Sequence, residues 1–231
     1  MKTIVAVATI AMGLAAASPA SAITAFATFI PRSSVSNVFA TGMALSSVAA
    51  PVTFRFLDQT GTLTVLDVNA TLDFSATVTG GQVLGGTGIL PVSGGTLTFT
   101  SLVPLTLGGV TGDNLLTVVF GPGGAFTGPV GGSTATYGNS TPPNIVSFTS
   151  DFIDFSASTA RDLALSINAI NPLLTAANFA ANTGFAGTIS GNFGADIFGG
   201  FPFPVAEPAS IALFGLGIGL IAARARRSRA V

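Results

Sequence analysis

From Ile23 to about Pro204 apolar and polar residues alternate one for one in short runs. This pattern allows few structures other than strands with one face buried. Val52-Thr53-Phe54-Arg55-Phe56 alternates in this way, as do Leu72 to Val78, Leu97-Thr98-Phe99 and Leu163 to Ile167. Leu115 to Phe120, apolar except at Thr117, is a further strand candidate. Turn-forming clusters lie between these runs: Asp58 to Gly61, Gly80-Gly81, Gly85-Gly86, Ser93-Gly94-Gly95 and Gly112-Asp113-Asn114. With 29 glycines and 13 prolines the chain is too rich in helix breakers for a helical fold. The spacing predicts an all-β, antiparallel β-sandwich or jelly-roll-like domain over residues 23–198. Phe54, Phe56, Phe74 and Phe99 fall on the core-facing parity. Gly121 to Pro143 reads as a long surface loop with one short strand around Thr134 to Tyr137, and Asn171 to Asn182 as a loop or short helix.

The chemistry available to this domain is narrow. Histidine and cysteine are absent, which removes Ser-His-Asp and Cys-His catalysis, histidine-ligated metals and disulfides. Only aspartates remain as acid or base. Asp151 and Asp154, three apart, would point to opposite faces of one strand. The other aspartates, including Asp67, Asp73, Asp113, Asp162 and Asp196, read as solvated turn and surface residues. No Asp-x-Asp-x-Asp/Asn-Gly calcium loop is present. Nineteen phenylalanines against one tyrosine and no tryptophan indicate packing rather than sugar stacking. The expectation is a protein without enzymatic activity, cofactor or metal. Between Ile23 and Val205 three arginines face eight aspartates, leaving that stretch five units negative. This excludes nucleic acid as a partner, because phosphate binding needs a basic face.

Both ends differ from the middle. Met1-Lys2-Thr3 opens a basic start, and Ile4 to Ala17 is an apolar run. Ser18-Pro19 breaks it, and Ala20-Ser21-Ala22 supplies small residues at the −3 and −1 positions of a cleavage site. These are the three parts of a secretory signal peptide, residues 1–22, with Ala20 and Ala22 marking the cut. At the other end, residues 199–204 form a Gly/Phe/Pro spacer before the tail, 205–231. That tail holds an uncharged helix candidate, 209–223, and a basic end, 224–229, with Arg224, Arg226, Arg227 and Arg229. Fifteen residues make a helix of only about 22 Å against a hydrocarbon core of about 30 Å. The arginines fix the orientation: they stay inside and everything before them lies outside.

Val205-Ala206-Glu207-Pro208-Ala209-Ser210, followed by a short apolar helix and an arginine cluster, resembles the PEP-CTERM sorting signal of exported bacterial proteins. Ala206 stands where that signal has its first proline, and Ile211 where one subgroup has tryptophan. The resemblance covers the last 27 residues or so and implies an exosortase and the secretion translocon as partners. It further implies membrane anchoring through the C-terminal helix before processing, then a place at the cell surface or in the extracellular matrix. A structural protein associated with extracellular polysaccharide is the function expected; a carbohydrate- or calcium-binding module is the alternative. N-terminal sequencing of the exported protein should begin at Ile23, and a chain still starting at Met1 would overturn the cleavage assignment.

Overall fold

The computed structural model describes residues 23–57, 64–181 and 184–196. The signal segment with Ala20 and Ala22, the spacer, the sorting motif Val205 to Ser210 and the terminal arginines lie outside them, so the expected flanking helices do too.

The described chain is all-β and antiparallel, as the alternation predicted. Its strands are β1 (Thr24–Pro31), β2 (Val38–Thr41), β3 (Ala44–Leu57), β4 (Thr64–Val78), β5 (Gln82–Leu84) and β6 (Thr87–Leu107). They continue with β7 (Val110–Phe120), β8 (Ala125–Pro129), β9 (Ala135–Thr141), β10 (Val146–Thr149), β11 (Arg161–Asn171) and β12 (Ala186–Ala195). One short helix, α1 (Ala176–Ala181), precedes β12.

These strands form one sheet rather than the two of a sandwich, and its neighbours follow chain order rather than a jelly roll's Greek keys. β4 and β5 lie in line along one side of β6, while β7 and β8 lie in line along the other. β10 and β9 continue the sheet beyond β7 and β8. β11 and β12 follow. β12 then pairs with both β1 and β2, each of which pairs with β3. The sheet therefore closes on itself as an up-and-down barrel. Two hairpins turn on glycine pairs in the left-handed region, Gly85-Gly86 and Gly108-Gly109, as type I′ turns require. Period-two alternation cannot separate these architectures, because each buries every second residue.

Two local expectations change. Gly121 to Pro143 is not mainly loop: the short strand expected around Thr134 to Tyr137 is present as part of β9, which pairs with β11, and β8 pairs with β6, each over five or more residues. Ser93-Gly94-Gly95 and Gly112-Asp113-Asn114 sit inside β6 and β7 instead of forming turns.

Phenylalanine fills the barrel. At its waist Phe29, Phe54, Phe99 and Phe193 come from β1, β3, β6 and β12 and meet at ring-centroid distances of 4.8 Å (Phe29–Phe99), 5.0 Å (Phe54–Phe99) and 5.5 Å (Phe99–Phe193). All four are fully buried. One mouth is closed by the segment between β10 and β11: Phe155 lies 5.2 Å from Phe26, and Phe152 lies 6.5 Å from Phe56. Phe179 of α1 closes the other, its ring lying over Gly88. Thr175 and Asn178 cap α1 reciprocally, each side-chain oxygen accepting from the other's backbone N–H.

Phe99 touches rings from three other strands, so truncation leaves a cavity that rigid strands cannot fill. Phe99→Ala should cost about 3–5 kcal/mol in denaturant titration. Leu84→Ala at an exposed hairpin position should change stability by less than about 0.5 kcal/mol. Equal effects would show that the waist cluster is not the core.

Candidate functional site

Apart from Arg32 and Asp73, the charged residues of the described chain gather at one mouth. Arg55, Asp67, Asp113, Asp151, Asp154, Arg161, Asp162 and Asp196 all lie on strand ends or in the segment that closes it. That segment, 150–160, leaves β10 at Thr149, crosses the mouth and enters β11 at Arg161. Phe152, Ile153 and Phe155 turn inward and are buried.

Polar groups tie the segment down. The Ser150 hydroxyl donates to the Leu115 carbonyl at 2.7 Å and accepts from the Phe152 N–H at 3.1 Å. The Asp151 carboxylate accepts from the backbone N–H groups of Asp113 and Asn114 at 3.0 and 2.9 Å. Asp154 accepts the Ser156 N–H at 2.8 Å, and hydrogen bonds from Ser156 hold its carboxyl below the usual range. The Arg161 guanidinium donates to the carbonyls of Phe155 and Ser158 at 3.0 and 2.9 Å.

Asp196 is the most committed of these groups. It follows the last residue of β12 and is only 4 % exposed. Its carboxylate accepts from the Ser158 hydroxyl (2.7 Å), the Thr159 N–H (2.9 Å), the Thr159 hydroxyl (2.7 Å) and the Ala160 N–H (2.8 Å). Burial alone would raise its pKa, but these four bonds outweigh burial and hold it at about 2. The solvated surface role expected of Asp196 is thus replaced by a buried clasp between the end of β12 and the mouth segment. Its partners lie 36 to 38 residues earlier, so no local pattern announces them.

Beside the segment lies an open cleft of about 650 Å³, with Val110, Phe148, Ser150, Asp151, Asp154 and Arg161 among its walls. Asp151 and Asp154 do not sit on a strand, and each holds a different stretch of backbone. Among the described residues ion pairing is seen between Arg55 and Asp67 at 3.2 Å, a half-exposed pair that contributes little. Among the described residues no three histidine, cysteine, aspartate or glutamate side chains gather to hold a metal. Asp154 and Asp196 stay ionised near neutrality, so neither can serve as a proton donor there.

A second, shallower groove of about 390 Å³ lies on the outer wall. Ser46, Ser75 and Thr96 stand in register across β3, β4 and β6, with Asp73 and Thr98 beside them. Asp73 accepts the Ala49 N–H at 2.8 Å where β3 bulges and Ala49 takes a φ of 46°.

Among the described residues no helix is long and apolar enough to cross a membrane, and the candidate span 209–223 lies outside them. Comparison with family models, curated proteins and solved structures finds no match to this chain.

The Asp196 clasp has a pH signature. Its folded pKa lies below the value of 3.8 for an unperturbed aspartate, so the ionised form favours the fold. That stability is complete above about pH 4 and is lost as pH falls toward 2. Asp196→Asn should flatten this acid limb in thermal melts. It should also lower stability near neutrality by about 1–3 kcal/mol, since buried donors lose a charged acceptor. An unchanged acid limb would remove Asp196 from this role.

Proposed function

We propose that the chain is an exported bacterial structural protein that an exosortase sorts to the cell surface or extracellular matrix. The observation that carries this reading is the order Val205 to Ser210, an uncharged stretch to Ala223, then Arg224, Arg226, Arg227 and Arg229. An N-terminal signal helix brings the chain to the translocon, and the C-terminal helix holds it in the inner membrane until processing. The barrel is then the part left outside.

Two features of the barrel support a structural role. Asp151, Asp154 and Asp196 are each spent on backbone N–H groups and hold the mouth segment in place. The groove around Ser46, Ser75, Thr96 and Thr98 offers hydroxyls in register, which suits hydrogen bonding to an extracellular polysaccharide.

Intact-mass measurement on protein recovered with and without the exosortase tests the reading. The expected outcome is loss of the arginine-bearing end only where the enzyme is present. Retention of that end in both strains would refute sorting by this route.

A further inference from the structure

The two mouths of the barrel differ in charge. The mouth closed by segment 150–160 carries Arg55, Asp67, Asp113, Asp151, Asp154, Arg161, Asp162 and Asp196. Arg32 and Asp73 lie near the waist, opposite Pro51 and Thr98. The mouth closed by α1 has no charged residue on any described strand end or connection: 38–46, 76–91, 126–136 and 168–190 are free of Asp, Glu, Lys and Arg. This mouth also exposes large apolar side chains. Met43 is 60 % exposed, Leu84 57 % and Leu173 52 %, with Val83 and Val130 beside them. They belong to one rim: the Val130 N–H donates to the Gly86 carbonyl at 2.9 Å, the Gly131 N–H to Leu174 at 2.7 Å, and the Val78 N–H to Met43 at 2.9 Å.

We propose that this uncharged mouth is a self-association surface whose occupant is the same mouth of a second copy of the chain. Electrostatics selects that partner. The described chain is acidic, so two copies repel wherever their charged mouths approach. A strand of eleven residues such as β11 spans about 36 Å. That separates the uncharged rim from the charged one by several Debye lengths, each about 8 Å at physiological ionic strength. Rim-to-rim contact is therefore the approach that buries exposed Met43, Leu84 and Leu173 without bringing like charges together. A surface meeting its own copy satisfies two-fold symmetry, in which each residue faces its symmetry mate or a neighbour of it. Another exposed apolar group, Leu102, Val103 and Val110 on the β6–β7 hairpin, lies at the acidic mouth near Asp113 and Asp151 and makes a built-in control.

The chain has no cysteine, so single introduced cysteines report contacts without background. Met43→Cys, Leu84→Cys, Val130→Cys, Leu173→Cys and Val103→Cys would each be placed in the full chain, held in detergent solution where copies meet in any orientation, and treated with a short bis-maleimide. Cross-linked dimer should form at least tenfold more with one or more of the four rim cysteines than with Val103→Cys. Adding Leu84→Asp and Leu173→Asp to Met43→Cys should cut its cross-linking at least tenfold, while the circular dichroism spectrum stays that of a β-barrel. Equal cross-linking at Val103 overturns the proposal. So does the absence of dimer at all four rim positions, in which case the rim meets something other than its own copy. Tail processing plays no part in this readout, so failure here and failure of exosortase sorting are separately visible.

Discussion

Closure of the sheet is the constraint on which the other features rest. β1 and β12 lie at opposite ends of the described sequence, yet Thr24 to Phe29 pairs antiparallel with Gly191 to Ala195. Without that ladder the sheet would have two long edges, each with unpaired N–H and C=O groups. The ladder needs close approach at Gly191, where a Cβ would stand 2.6 Å from the Ala164 carbonyl oxygen and 2.9 Å from the Phe29 ring. The Thr28 hydroxyl adds a bond to the Gly191 carbonyl at 2.8 Å. Phe29 and Phe193 come from these two strands and form part of the waist cluster, so pairing and packing enforce each other. Removing water from four rings and satisfying the closing ladder are one event, because neither can be completed while the sheet is open.

Strand content was legible because burial on one face leaves a period-two record. Val52 to Phe56 and Leu72 to Val78 are strand segments with Phe54, Phe56 and Phe74 inward. Closure was not legible. A sandwich and a barrel place the same alternation on each strand, and the pairing of β1 with β12 is recorded in no local pattern. The glycine-rich stretch 121–143 misled for a different reason. Gly128 lies in β8, and a Cβ there would collide with the Thr134 carbonyl oxygen as the chain folds back toward β9. Its glycine serves close approach between strands, whereas composition alone suggests flexibility.

The mouth segment follows the same division. Its inward Phe152 and Phe155 continue the phenylalanine-rich core, a role the abundance of phenylalanine foreshadowed. The role of its carboxylates was hidden, because an aspartate's environment depends on which backbone N–H groups the fold delivers to it. Asp196 illustrates this: the end of β12 brings it against Ser158 to Ala160, where four donors converge. Arg161 works on the same stretch from the other side by donating to the Phe155 and Ser158 carbonyls. Cation and anion never pair directly; each satisfies backbone groups of opposite polarity. The segment is thereby held across a mouth that would otherwise expose Phe26, Phe56 and Phe148.

Charge polarity then acquires a direction. Thr24 pairs with Ala195, so the described chain enters and leaves the barrel at the same, charged mouth. Under the proposed sorting route this is the mouth nearest the membrane before processing, where water-loving groups face the polar headgroup region. The uncharged rim with Met43, Leu84 and Leu173 is then the far end, pointing away from the cell. Concentrating charge near the point of attachment and apolar surface at the distal end leaves anchored copies on one surface side by side, rims outward. Rims meeting across a gap would join molecules on opposing surfaces, an arrangement suited to a matrix component. The same contact between released copies needs no anchor, so under that proposed route the polarity of the barrel serves both the anchored and the released protein.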